Sequence, residues 1–240
     1  MKTTVMSALC GIILLVACKK KETPVLAETV KQAATEIPSE CGQEIILAKP
    51  KLLKEKGIEL PVATKLCLAK DHSEITIELP KGYSFDVNET SVQAKPLPVT
   101  FATYHCNCSG GGACQVTFID ELGFGCMHSN CTGGCTGEFT YKGYSVNRVI
   151  NLSQGKEKFF TDPIIQKKVA AQFANSTDKK SRQEIYGVSY YFELPGKASC
   201  DCEGTKACVL KTLGIAMEKS ASFKIYYCDG PCNGCELTVN

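Results

Sequence analysis

The sequence predicts a mainly β protein with one or two short helices, built as two duplicated cysteine-rich β modules behind a flexible N-terminal tether. Three observations carry this reading. Short runs alternate apolar and polar residues at period two, with Gly, Asn and Pro clusters between them. The pattern C-x-C-x-G-x-x-A-C occurs twice, 94 residues apart. A single stretch combines helical spacing with a helix-start signal.

Composition bounds the alternatives. The chain has 240 residues, 44% of them apolar, and a net charge of +2. That is too apolar for a wholly disordered chain and too charged for a polytopic membrane protein. With 27 basic against 25 acidic residues, nothing marks nucleic acid as a partner. The unusual count is 16 cysteines, beside 3 histidines, 4 methionines and no Trp.

The first element is an address. Lys2 is the only charge before an apolar run from Ala8 to Ala17, too short to span a bilayer as a helix. It reads as a secretory signal peptide. The run ends Leu15-Val16-Ala17-Cys18, and three lysines follow. Here the chain resembles a bacterial lipoprotein precursor, whose lipobox is an aliphatic residue, two small or neutral residues, then cysteine. The resemblance covers residues 1–18 alone. It implies a diacylglyceryl thioether on Cys18, cleavage before it, and acylation of the new amino group by palmitate-type chains. Lys19, where Asp commonly marks inner-membrane retention, favours the outer membrane. The expected place is therefore the bacterial cell envelope, lipid-anchored at the outer membrane, on either its periplasmic or its surface face. One acyl chain holds marginally, at about 0.8 kcal/mol per methylene, so two or three would hold the mature chain durably. Cys10 leaves with the signal.

The organisation then follows in order. Residues 1–17 are the signal peptide, and 18–40 the lipidated cysteine and tether, with Pro24, Pro38 and little that could form a core. An N-terminal segment spans 41–73, module 1 spans 74–150, a helical connector 151–183, and module 2 184–240. Strands are expected over Glu74–Leu79, Val99–Tyr104, Gln115–Ile119, Tyr186–Leu194 and Ser222–Tyr227. Thr161-Asp162-Pro163 opens a helix with a cap residue and Pro at the first turn, facing Ile164, Ile165, Val169 and Phe173 to the core. Pro50 to Gly57 reads as a short helical turn.

Cysteines carry the repeat. Cys106, Cys108 and Cys114 recur as Cys200, Cys202 and Cys208, with Gly110 and Ala113 recurring as Gly204 and Ala207. Cys126, Cys131 and Cys135 follow in the first copy, and Cys228, Cys232 and Cys235 in the second. Such self-similarity signals duplication. The retained Gly110 and Gly204 predict a positive-φ turn. Setting aside Cys10 and Cys18 leaves 14 of the 16 cysteines: the pair Cys41 and Cys67, plus two sets of six. An even count in an exported chain predicts a disulfide framework. Cys106 and Cys108 stand too far apart on one strand face to bond each other readily. Bonds are therefore expected mainly between the first triplet and the second, with Cys41–Cys67 as a seventh.

Two sharper chemistries compete. Six thiols per module could instead hold zinc or copper as thiolates, with His105 and His128 adding ligands in module 1. Module 2 has no histidine, so imidazole cannot define the shared unit. Cys232-Asn233-Gly234-Cys235 is literally C-x-x-C, but a thioredoxin-like site needs a helix after it, and only ELTVN follows. No hydrolase motif occurs, and His72 lies in a polar stretch. The expected role is non-enzymatic: binding or structural work on an unidentified envelope or extracellular ligand, without a cofactor. A zinc- or copper-binding lipoprotein is the alternative.

Overall fold

The computed structural model describes residues 41–53, 56–88, 97–119, 123–202, 207–217, 221–231 and 234–239. The expectations about the signal peptide, Cys18 and the tether lie outside them. Within them the chain is mainly β with two helices.

Alternation in Glu74–Glu78 sends Ile75 and Ile77 to one face, and both are fully buried. This strand, β5, sits within a seven-stranded sheet. Its order is β1 (Cys41–Ile46), β4 (Lys65–Ala69), β5, β7 (Phe101–Cys108), β10 (Cys135–Tyr141), β11 (Tyr144–Asn151) and β6 (Tyr83–Val87). Each neighbouring pair is antiparallel. The sheet curls: Phe85 of β6 donates its N–H to the Val99 carbonyl at 2.7 Å, in the segment that leads into β7. A hairpin of β2 (Lys51–Leu53) and β3 (Ile58–Leu60) adds Leu53, Ile58 and Leu60 to the sheet's core. The helical turn expected over Pro50–Gly57 is therefore corrected to strand and turn. Three apolar side chains at strand spacing bury more surface against the sheet than one isolated turn could. The 41–73 segment joins the same sheet, where Lys65 to Leu68 of β4 pair antiparallel with β5.

The connector forms α1 (Lys156–Phe160) and α2 (Pro163–Asn175). Asp162 caps α2, accepting from the N–H groups of Ile164 at 2.9 Å and Ile165 at 3.1 Å, with Pro163 in the first turn. Ile165 and Val169 are buried, but Ile164 is exposed, which corrects its expected place in the core stripe. Beyond α2 come β12 (Gln183–Ile185), β13 (Val188–Tyr190), β14 (Ala198–Asp201), β15 (Val209–Ala216), β16 (Ser222–Asp229) and β17 (Glu236–Val239). The expected long strand over Tyr186–Leu194 is a two-residue hairpin instead, turning on Tyr186 (φ +51°) and Gly187 (φ +78°). A second core gathers Phe159, Phe160, Tyr190, Ile225 and Tyr227 among α1, α2 and these strands.

One polar cluster ties the two cores together. Asp86 on β6 is 2% exposed and accepts from the Tyr186 hydroxyl at 2.8 Å. Lys168 of α2 stands 3.0 Å from the same carboxylate, and Arg148 of β11 3.7 Å away. Arg148 also grips Asp162 with two bonds of 2.7 Å.

Candidate functional site

The cysteine modules are the feature that composition singled out, and the fold shows what their spacing builds. In module 1 the first cysteine-bearing strand pairs with the last: β7 with β10, in a register that sets Cys108 opposite Cys135 and Cys106 opposite Gly137. The strands between, β8 (Cys114–Ile119) and β9 (Gly123–His128), form an inner hairpin with Val116 opposite Cys126. Module 2 repeats this nesting. β14 pairs with β17, placing Cys200 opposite Leu237, and β15 pairs with β16, placing Leu210 opposite Cys228. Leu237 follows Cys235 by two residues, as Gly137 follows Cys135. Leu210 follows Cys208 by two, as Val116 follows Cys114. Both ladders thus keep their register to the cysteines.

The disulfides pin inner hairpin to outer ladder. Module 1 bonds Cys106–Cys126, Cys108–Cys131 and Cys114–Cys135, which is first to fourth, second to fifth and third to sixth. Module 2 bonds Cys200–Cys228 and Cys208–Cys235, the same first-to-fourth and third-to-sixth pairs. Cys202 is also disulfide-bonded. Cys41 and Cys67 join across β1 and β4. In both modules these pairs run from first triplet to second. Cys235 takes Cys208 as its partner, so the C-x-x-C of Cys232 and Cys235 does not close on itself.

Loop contacts explain the glycines. Thr132 receives the Gly111 N–H on its hydroxyl at 2.9 Å, and Gly134 donates to the Ser109 hydroxyl at 2.8 Å. These bonds zip the Ser109–Ala113 turn to the Asn130–Gly134 turn. A Cβ on Gly110 would stand 2.7 Å from the Gly133 nitrogen, and one on Gly133 would stand 2.7 Å from the Gly110 nitrogen. Close approach, not positive φ, is the demand on Gly110; the positive φ of this turn belongs to Gly112, at +104°. Module 2 makes a related contact, where Gly230 lies against the Ala207 carbonyl.

The rung Cys108–Cys135 brings two disulfides side by side. The sulfurs of Cys108, Cys114 and Cys131 lie within 4.8 Å of one another. Ligand atoms of His128, Cys131 and Cys135 do the same. His105 is placed elsewhere, on β7, with its Nε2 3.3 Å from Glu138 of β10. Sequence spacing offered both histidines as ligands; the structure brings only His128 to the sulfur cluster. His72 sits in the exposed turn between β4 and β5, at φ +59°. Beside it, hydrogen bonds from Ser73 hold the Asp71 carboxyl below its ordinary range. Sequence reasoning missed a surface groove of about 500 Å³ between the β2–β3 hairpin and β11, lined by Glu59, Val62, Tyr83 and Arg148 among others. Its walls come from residues 50 to 151, and no local motif announces it. No helix of the described residues is long and apolar enough to cross a membrane. No protein-family model, curated protein or solved structure matches this chain.

Proposed function

We propose that this chain is a non-enzymatic lipoprotein of the bacterial cell envelope, anchored through Cys18, whose disulfide-stapled body does binding or structural work. One observation carries the reading. Each described cysteine, from Cys41 through Cys235, is disulfide-bonded, and so many closed bonds fit an oxidising compartment outside the cytoplasm. The lipobox-like Leu15 to Cys18 supplies the route there and the anchor. The partner is an envelope or extracellular ligand, with the membrane engaged through lipid. Labelled palmitate fed to cells making the protein should enter the intact chain and not the Cys18→Ser variant. Equal incorporation into both would remove the anchor from the proposal.

A second reading has its own support. Cys108, Cys114, Cys131 and Cys135, with His128 beside them, offer soft ligands close enough to hold zinc or copper once their disulfides are opened. Intact mass and thiol titration on protein purified without reductant separate the two. A mass without metal and no titratable thiol fits the stapled body. Titratable thiols with stoichiometric zinc or copper fit the metal carrier.

A further inference from the structure

The two copies of the module differ at one sheet edge. In module 1 the outer edge of the inner hairpin is covered: the Val116 N–H donates to the His72 carbonyl at 2.8 Å, from the turn between β4 and β5. Val116 corresponds to Leu210 by the 94-residue offset. Residues 94 beyond that turn fall in α2, and among the described residues no strand pairs with β15 other than β16. The Leu210 N–H has no backbone partner among the described residues.

The rest of the edge follows from the ladder. Tyr226 exchanges both its backbone bonds with Tyr191, at 2.8 and 2.9 Å, so its N–H and C=O point away from β15. Tyr226 stands opposite Thr212. Thr212 therefore points its own N–H and C=O outward, and alternation extends this to Leu210, Gly214 and Ala216. All four residues are exposed and uncharged. The register across β15 and β16 is continuous over eight rungs, without a bulge or proline. Lys211, the only charge on β15, lies on the other face, 3.5 Å from Glu157. Natural edges are blunted by charge, proline, bulges or cover. Among the other edges, β1 has a register shift at Cys41/Gln43, and β6 is covered by Val99.

The geometry points to a second copy of this chain as the occupant, with β15 pairing antiparallel to β15 about a two-fold axis. One register uses all four outward residues: Leu210 opposite Ala216 and Thr212 opposite Gly214, each twice, for about eight backbone bonds. That register sets Leu213 against its own copy. Leu213 packs on the second core beside the buried Ile215, so the pairing extends an apolar layer already present. Lys211 falls opposite Ile215, and no like charges meet. A strand bearing charges would set them against an uncharged edge. The pairing is independent of the lipid anchor.

The test is photocrosslinking in cells that make the full chain. With Leu210→p-benzoylphenylalanine, ultraviolet light should give a dimer-sized adduct whose linked peptides are β15 of both copies, near Ala216. Thr212→Pro in the same chain removes an outward N–H, spares the β15–β16 bonds, and should cut the adduct at least tenfold. Unchanged mobility without reductant would show that this variant keeps its disulfides. An adduct with a different protein, no adduct at all, or an adduct that survives Thr212→Pro would each overturn the pairing.

Discussion

At the scale of single residues, position outweighs identity. Gly137 has an ordinary φ, yet a Cβ there would overlap the ring end of Tyr104 on the paired strand. Tyr104 is 3% exposed, and its hydroxyl lies 3.5 Å from the Cys126 sulfur, so the ring has nowhere to go. Gly137→Ala should cost about 1–3 kcal/mol as overpacking, read from urea unfolding. Asp162 serves twice, as the α2 cap and as the partner of Arg148. The Arg148 guanidinium, and then the two cap N–H groups, hold its carboxyl below the usual range. A depressed carboxyl stabilises the fold fully above the unfolded value, about pH 4, and loses that contribution as pH falls through the folded value. Asp162→Asn keeps the cap oxygen and removes the charge. The variant should be about 1 kcal/mol less stable at pH 7, a figure discounted for partial exposure, and the gap should close as pH falls through the lowered folded value, read from parallel denaturant titrations.

At the scale of elements, the nested ladders account for both the drift and the constancy of the cysteine spacing. β15 runs eight residues past Cys208 where β8 runs five past Cys114. β16 begins six before Cys228 where β9 begins three before Cys126. With two more residues at the tip, the inner hairpin absorbs the change of offset from 94 to 102 without shifting either register. Module 2's outer ladder, β14 with β17, rests on a core of three buried residues, two of them Cys228 and Cys235. Module 1's outer ladder continues into the large sheet. Opening the disulfides with a dithiol should therefore raise amide exchange over 198–201 and 236–239 at least tenfold before it touches β5 and β7. Exchange rising equally in both ladders would contradict this. β8 and β16 were legible because each alternates over a half-buried face, and β5 because polar Glu74, Thr76 and Glu78 alternate with Ile75 and Ile77. β4 was not, since Leu66, Cys67 and Leu68 are all buried and no alternation survives. The hairpin β2–β3 was too short for period two to stand out, and so read as a turn.

The repeat was legible as a run of spaced cysteines, and the bond pattern shows why. First-to-fourth and third-to-sixth bonds occur in both copies, and second-to-fifth in module 1. With Cys202 bonded and the order kept, Cys232 should be its partner. Peptide mapping without reductant should recover a Cys202–Cys232 link; a link from Cys202 to any other cysteine would break the equivalence of the modules. The sulfur cluster around His128 was less legible, because it depends on which rung the two loops cross, and spacing along the chain does not encode that.

At the scale of the whole molecule, two apolar cores meet across one polar cluster. The apolar clusters are separate: one lies on the seven-stranded sheet and the other around α1, α2 and β16. Between them stands the buried carboxylate of Asp86, 100 residues from Tyr186, a separation at which sequence gives no signal of contact. Its partners come from the far side: the Tyr186 hydroxyl at 2.8 Å and the Lys168 ammonium at 3.0 Å. Arg148 then links the same carboxylate to the cap of α2. Paired charges hold the halves in register, but their net contribution is small beside the cost of stranding one of them. Asp86→Asn keeps the shape and removes the charge, leaving two cations facing a neutral amide. Lys168 and Arg148 keep some solvent, so the loss should be about 2–3 kcal/mol, below that of a wholly buried pair. Calorimetry should show one transition in the natural chain and two in Asp86→Asn, with the connector and module 2 melting first. A single transition at unchanged temperature in the variant would mean that apolar contact alone couples the halves.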